Sequence, residues 1–184
     1  KKGLPSIRKP DIFKKLKKKI MNIFDYNGDF YPTPKNVIEK MLINEEISGK
    51  VFLEPSAGKG NIVDYLKANG ASEVIACEND PICLKLLRNK CNIVKEDFLD
   101  VTAEMVSHVN QIVMNPPFSS AAKHILHAYE IAPSGCTITA LCNSDSFNRY
   151  NSTKENNILK EKVELYGMSE ELYNCFENAE RKTN

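Results

Sequence analysis

The sequence contains no long apolar run. No stretch approaches the roughly 18 apolar residues that suggest a membrane-spanning helix, and the N-terminal residues are charged rather than signal-like. The 184 residues are 42% hydrophobic and 27% charged, which is typical of a soluble globular protein and enough for one domain with a real core. We therefore expect a cytoplasmic protein with no membrane partner.

The sequence also has no Cys-x-x-Cys pair. Only three histidines are present, and His124 and His127 lie three apart on a predicted helix with no further ligands nearby, so we expect no metal site. Several of the six cysteines lie in apolar runs, which favours reduced, buried thiols over disulfides or zinc ligands. The cysteines are Cys77, Cys83, Cys91, Cys136, Cys142 and Cys175.

Net charge is small overall, at +1, but it is unevenly distributed. Residues 1–24 contain nine Lys or Arg and one acid, Asp11, a local charge of +8. Such a basic arm, which we place at residues 1–26, suits a polyanion such as nucleic acid. A solvated face of the amphipathic helix predicted at 11–24 explains the charge equally well. The candidate phosphate contacts are Lys14, Lys15, Lys17, Lys18 and Lys19.

From residue 50 onwards, predicted strands and helices alternate within a domain that we place at residues 27–184. This order predicts an α/β fold, a Rossmann-like, doubly wound and mostly parallel sheet with helices on both faces. Thr33-Pro34 and Asp80-Pro81 each have the N-cap and N1 chemistry of a helix start. Such a sheet usually has more than five strands, so we expect the last strands to be missing from this chain. The predicted strands are 50–54, 73–77, 91–94, 111–114 and 135–142; the helices are 60–69, 81–90, 102–108, 120–131, 158–166 and 169–176, with a polar loop at 143–157.

The most informative stretch is Asn115-Pro116-Pro117-Phe118, directly after the apolar strand predicted at 111–114. The side-chain carbonyl of Asn115 and the main-chain carbonyl of Pro116 can both accept hydrogen bonds from one planar amino group. Two prolines fix φ and lack donors, so the turn is stiff and rich in acceptors. Phe118 adds a flat face on which a base or an amide can stack. The alternative is a plain strand-to-helix connection in which Pro-Pro ends the strand.

Three other strand ends carry matching chemistry. Glu54 leaves the first strand and is followed by small residues and glycines, which let the backbone pass close beneath a ligand. Glu78 ends the second strand, where a carboxylate can accept from both hydroxyls of a ribose. After the third strand, Asp97 can accept from an adenine amino group and Phe98 can pack on its ring. Because ligands of an open parallel sheet bind beyond the carboxyl ends of its strands, the set predicts a nucleoside site, although each acid alone could be a helix cap or surface charge.

The glycine-rich segment does not match two common phosphate-binding patterns. Gly58-Lys59 has no glycine five residues earlier, and Gly60 replaces the Ser or Thr that holds magnesium in a P-loop. The dinucleotide fingerprint is incomplete because Val63 stands where a third glycine is needed. A site for a nucleoside without a pyrophosphate remains.

Taken together, these motifs resemble those of the class I S-adenosylmethionine-dependent methyltransferases, and among them the N6-adenine DNA methyltransferases. Residues 53–60 resemble the glycine-rich cofactor motif, and Asn115-Pro116-Pro117-Phe118 resembles the catalytic motif. Residues 30–34 are similar to a segment that contacts the methionine end of the cofactor, so the resemblance covers about residues 30–142. It implies that S-adenosylmethionine is held by Tyr31, Thr33, Pro34, Glu54, Pro55, Ser56, Ala57, Gly58, Gly60, Glu78, Asn79, Asp97, Phe98 and Asn115, and that Asn115, Pro116, Pro117 and Phe118 are catalytic.

The resemblance implies methylation of N6 of adenine in DNA, as in restriction-modification systems, phages and mobile elements. Phe118 departs from the tyrosine that these enzymes more often have, and Asn-Pro-Pro-Phe also occurs in RNA guanine-N2 methyltransferases. An RNA amino-methyltransferase (adenine N6 or guanine N2) and a protein glutamine methyltransferase therefore stay open, as does a non-catalytic cofactor- or nucleic-acid-binding module. Residues 176–183 resemble the lead-in to the antiparallel strand pair with which the family typically continues.

Overall fold

The computed structural model describes residues 32–143 and 153–172. Its strands are β1 (Val51–Glu54), β2 (Glu73–Cys77), β3 (Asn92–Lys95), β4 (Gln111–Met114) and β5 (Thr137–Ala140). Its α-helices are α1 (Lys35–Met41), α2 (Asn61–Ala68), α3 (Pro81–Leu87), α4 (Ala121–Ile131) and α5 (Lys154–Tyr166). Short 3₁₀ helices span Phe98–Asp100, Ala103–Val106 and Phe118–Ser120.

The five strands form one parallel sheet in the order β3-β2-β1-β4-β5. The chain first builds outward from β1 through β2 to β3, then returns to place β4 on the other side of β1. This reversal leaves a crevice between β1 and β4 at the carboxyl ends of the strands, where ligands of open α/β sheets bind. The predicted Rossmann-like α/β fold is confirmed.

Both faces of the sheet are covered by helices. Consecutive strand residues point to opposite sides of the sheet, so neighbours in one strand pack in different clusters. Phe52 of β1 packs in a cluster with residues of α1, α2 and α3, whereas its neighbour Leu53 packs in a second cluster with residues of α4. All four residues of β4 are buried, as expected for a central strand. Burial on both sides fixes the positions of the strand ends that carry the candidate site.

Helix starts match the prediction at one position and differ at another. Asp80 caps α3 as predicted, since its Oδ1 accepts from the backbone nitrogens of Ile82 and Cys83 at 2.8 and 2.9 Å. The predicted N-cap at Thr33 is wrong, because α1 begins at Lys35 and its N-cap is Pro34. The Thr33 hydroxyl instead accepts a hydrogen bond from the side chain of Asn115.

Element boundaries differ from the prediction where tertiary contacts decide them. β5 is shorter than the predicted 135–142 because it pairs only with the four residues of β4. Pro116 and Pro117, which follow β4, cannot donate hydrogen bonds to extend the pairing. The helix predicted at 102–108 is the short 3₁₀ helix Ala103–Val106. α5 begins within the predicted loop, because Thr153 Oγ1 accepts from the Asn156 nitrogen at 3.1 Å and caps it. Residues 169–172 are not helical, and the rest of that predicted helix is outside the described residues.

Several predictions concern residues that are not described. The basic arm, Tyr31 and residues 176–183 lie outside the described residues.

Cysteines 77, 83, 91, 136 and 142 are free thiols, and the first two are buried. No helix in residues 32–143 or 153–172 is long and apolar enough to cross a membrane.

Candidate functional site

Glu54, the last residue of β1, is a buried acid at the crevice. It is 2% exposed and accepts a hydrogen bond from the backbone of Val63 in α2. Burial raises the pKa of this carboxyl well above its usual 4.5, and the nearby Glu78 raises it further. Its Oε2 atom is buried and has no hydrogen-bond partner among the described residues. A buried acceptor of this kind fits a ligand that brings a donor or a positive charge.

Glu78, which follows β2, holds the glycine-rich loop. Its Oε2 accepts from the Gly58 nitrogen at 2.6 Å, and its Oε1 accepts from the Asp80 nitrogen at 2.7 Å. Burial raises the pKa of Glu78, while these backbone hydrogen bonds act in the opposite direction. Each carboxylate oxygen can accept more than one hydrogen bond, so the predicted contacts with ribose hydroxyls are compatible with these bonds.

The loop between β1 and α2 depends on its glycines. Gly58 and Gly60 have φ of 53° and 84°, in the left-handed region. A Cβ added at Gly60 would lie 2.9 Å from Leu87 Cδ2, so α3 packs directly against the loop. The predicted loop residue Ala57 is buried, and its backbone nitrogen donates a hydrogen bond to the Cys77 carbonyl at 3.1 Å. Pro55 is buried and Ser56 half-buried in the same turn.

Lys90 is a loop-holding residue that the sequence did not indicate. Its Nζ donates to the Lys59 carbonyl at 2.9 Å and pairs with Asp64 at 2.5 Å. Lys90 lies 31 residues from Lys59, beyond any local pattern. The loop is therefore held from β2 through Glu78 and from beyond α3 through Lys90.

Asn115 lies at the end of β4, beside Thr33. Its Nδ2 donates to Thr33 Oγ1 at 3.0 Å, and Asn61 Nδ2 donates to the Thr33 carbonyl, also at 3.0 Å. Pro116 is buried, and Phe118 is half-buried at the start of its 3₁₀ helix. The structure thus brings the predicted residues Thr33 and Asn115 together, although 82 positions separate them.

Asp97 and Phe98 follow β3. Asp97 Oδ1 accepts from the Leu99 nitrogen at 2.9 Å, which caps the next 3₁₀ helix. Phe98 is 2% exposed and contacts two rings of α4. It is stacked on His124 with centroids 5.9 Å apart and edge-on to His127 at 4.9 Å. Phe98 and the two histidines thus form part of the packing under α4. The predicted contacts of Asp97, Phe98 and the exposed Asn79 with a cofactor stay predictions.

Two further observations bear on the chemistry at the strand ends. Burial raises the pKa of Cys77 to about 12, so its thiol stays protonated and does not supply a nucleophile at neutral pH. In residues 32–143 and 153–172, no three His, Cys, Asp or Glu residues are grouped as metal ligands. The functional groups at these strand ends are carboxylate, amide and carbonyl acceptors around a glycine-rich loop.

The fold resembles solved structures of S-adenosylmethionine-dependent methyltransferases. A proposed RNA methyltransferase from Pyrococcus horikoshii gives a TM-score of 0.53 at 24% identity, covering 80% of each chain. An RNA methyltransferase from Salinibacter ruber, solved with S-adenosyl-L-homocysteine, gives 0.50 at 16% identity over 67% of this chain and 86% of that one. A TehB-like methyltransferase from Corynebacterium glutamicum gives 0.50 at 14% identity over 84% and 83%.

No protein-family model matches the sequence, and no curated protein matches it either. At these identities the structural similarity establishes the fold. The chain has the Rossmann-like class I methyltransferase fold, which agrees with the fold that the sequence motifs imply.

Proposed function

We propose that this protein transfers a methyl group from S-adenosylmethionine to an exocyclic amino nitrogen, namely N6 of adenine in DNA. The observation that carries the proposal is the position of Asn115-Pro116 directly after β4, beside the crevice. Glu54 is the last residue of β1 and Glu78 follows β2, at the same edge of the sheet. Acceptors for an amine and acceptors for a charged nucleoside thus lie at one edge of the sheet. The class I methyltransferase fold supports this proposal.

The residues present fit this cofactor. The buried, unpartnered Oε2 of Glu54 suits the ammonium group of its methionine part, and Glu78 suits its ribose hydroxyls. The glycine-rich loop, whose glycines have positive φ, allows close approach of the backbone. When bound, the cofactor supplies a methyl group that is already activated by its attachment to a sulfonium.

The catalytic contribution of the chain is to align and polarise the amine. Asn115 Oδ1 and the Pro116 carbonyl accept hydrogen bonds from its two N–H groups, which favours a pyramidal nitrogen with an available lone pair. Methyl transfer to this nitrogen, with the donor sulfonium leaving as a neutral thioether, would give the nitrogen positive charge that these acceptors would stabilise. The amine then loses a proton to solvent. Phe118 offers its ring to a base that has left the DNA stack.

An RNA base amine, adenine N6 or guanine N2, is a second candidate substrate. Two proteins with the same fold, from P. horikoshii and S. ruber, carry the description RNA methyltransferase. Asn115 and Pro116 recognise only a planar amine and do not distinguish DNA from RNA. A glutamine amide presents the same planar donor and is a third, less specific fit.

The experiment that tests the proposal is methyl transfer followed by nucleoside analysis. Labelled S-adenosylmethionine is supplied with unmethylated DNA, with RNA and with a glutamine-containing protein extract, and the products are digested and separated. Label in N6-methyladenine from DNA is the expected result. Label only in RNA nucleosides or glutamine would keep the chemistry and change the substrate. Cofactor binding with no transfer to any of the three would refute the proposal in favour of a binding module.

A further inference from the structure

Thr33 joins three segments of the site through two hydrogen bonds. Its hydroxyl accepts from Asn115 Nδ2, and its carbonyl accepts from Asn61 Nδ2, each at 3.0 Å. Asn115 follows β4, whereas Asn61 is the first residue of α2, directly after the glycine-rich loop. Thr33 is 5% exposed, and both hydrogen bonds are partly buried.

The direction of the Asn115 amide matters because its two ends have opposite chemistry. The oxygen accepts hydrogen bonds and the nitrogen donates them. An amino group of a substrate is a donor, so it is stabilised only if Oδ1 faces it. If the amide rotated by 180°, Nδ2 would face the amine, and two donors would oppose each other.

We propose that Thr33 is a positioning residue that holds Asn115 with Oδ1 directed at the substrate amine. This inference rests on the proposed function of Asn115. Because Nδ2 donates to the Thr33 hydroxyl, Oδ1 points to the other side of the amide. The role is distinct from the contact with the methionine end of the cofactor that the sequence motif predicts for Thr33.

The backbone around Thr33 is built to keep the hydroxyl in place. Pro34 follows it, and a residue before proline is restricted to extended conformations. The bond from Asn61 fixes the Thr33 carbonyl relative to α2. The hydroxyl therefore has a defined position against which the amide can be set.

Two substitutions separate the hydroxyl from the shape of the side chain. Thr33→Val keeps the branched shape and removes the acceptor, whereas Thr33→Ser keeps the acceptor and removes a methyl group. Thr102→Val, at an exposed threonine whose side chain makes no cap hydrogen bond, is the matched control for the same chemical change. Each variant is assayed for turnover at saturating cofactor, for cofactor affinity by calorimetry, and for the side-chain amide signals of Asn115 by NMR.

We expect Thr33→Val to lower kcat by about tenfold, the equivalent of one lost hydrogen bond in the transition state, with cofactor affinity changed by less than about threefold. Thr33→Ser should recover most of the rate, and Thr102→Val should match the parent. The Asn115 side-chain amide signals, assigned from their loss in Asn115→Asp, should shift in Thr33→Val and stay near the parent position in Thr33→Ser.

Two results would overturn the inference. A fall in cofactor affinity that accounts for the whole loss of rate would make Thr33 a cofactor contact only. Unchanged Asn115 amide signals in Thr33→Val would show that the hydroxyl does not hold the amide. Because the NMR comparison needs no turnover, it tests Thr33 even if the parent protein methylates no substrate, a result that would refute the proposed function instead.

Discussion

The Oε2 atom of Glu78 lies 2.6 Å from the backbone nitrogen of Gly58, which donates a hydrogen bond to it. The other carboxylate oxygen accepts from the Asp80 nitrogen at 2.7 Å. One side chain therefore ties the loop after β1 to the turn that starts α3. Both hydrogen bonds come from backbone donors, and both oxygens of a carboxylate are acceptors, so Glu78 can accept the two bonds at once.

Glu78→Gln should loosen this connection. The amide places a donor against one of the two backbone nitrogens, so we expect a loss of about 1–3 kcal/mol in the free energy of unfolding. Cofactor affinity should fall as well, because Glu78 both holds the loop and is the proposed acceptor of the ribose hydroxyls. Chemical denaturation and calorimetry measure the two effects. Glu104→Gln, at an exposed position, is the control for the same substitution, and equal stability of the two variants would contradict this role of Glu78.

Gly60→Ala should destabilise the protein more than Gly135→Ala. Both glycines have a left-handed backbone, with φ of 84° and 81°, so both variants incur a conformational cost of about 1–2 kcal/mol. Only at Gly60 would the new Cβ also clash, 2.9 Å from Leu87 Cδ2, whereas nothing lies within 4 Å at Gly135. Thermal unfolding of both variants isolates the clash. Equal losses would mean that α3 yields without cost.

Glu54 should make stability depend on pH in a defined direction. Its pKa in the folded protein is raised above the usual 4.5, so the folded state holds its proton more tightly than the unfolded state. This contribution is fully present below pH 4.5 and is lost as the pH rises through the folded pKa. Glu54→Gln, which does not ionise, should therefore become progressively more stable than the parent over that interval. A difference in melting temperature that stays constant with pH would contradict the raised pKa.

Asn115→Ala should abolish methyl transfer without loss of cofactor binding. Removing an acceptor that acts on charge developing in the transition state typically costs at least about 100-fold in kcat. Cofactor affinity should stay within about threefold of the parent, because the carboxylates proposed to hold the cofactor are untouched. Asn89→Ala, at an exposed position, controls for the loss of an amide. Loss of cofactor binding in parallel with activity would count against the catalytic role of Asn115.

The basic arm can be tested through the salt dependence of nucleic-acid binding. Replacing Lys14, Lys15, Lys17, Lys18 and Lys19 with Gln should reduce the slope of log affinity against log salt by up to about 4.5 on duplex DNA, if each lysine contacts one phosphate. Gln at Lys40 and Lys154, both exposed, is the control for loss of charge elsewhere. An unchanged slope in the five-lysine variant would identify the arm as a solvated helix face.

Local sequence chemistry was enough to predict β2, β4 and the capped start of α3. Apolar runs bounded by Asp, Asn and Pro leave few alternatives there, and both strands match the predicted limits. The structure brings Glu78 to the loop of Gly58 and Asn115 beside Thr33. The first pairing could be expected in outline, because Glu78 and the Gly58 loop follow neighbouring parallel strands, which end at the same edge of the sheet.

The rest depends on contacts that no local pattern encodes. Lys90 reaches the Lys59 carbonyl from 31 residues away, and nothing in its neighbourhood marks it. The end of β5 is set by the length of β4. Thr33 does not cap α1, because the helix begins one residue later than predicted, with Pro34 as its N-cap, and the Thr33 hydroxyl accepts from Asn115. Phe98 follows a strand, where its ring is predicted to pack on a ligand, and no local pattern indicates that the ring also contacts two histidines of α4.

The two halves of the site differ in how much chain must close to form them. The Gly58–Glu78 bond spans 20 residues, within one strand-helix-strand unit, whereas the Thr33–Asn115 bond spans 82. The longer closure costs about 1 kcal/mol more in chain entropy. The half around the Gly58 loop can therefore assemble early and locally during folding, while the half around Asn115 is completed only when β4 docks beside β1.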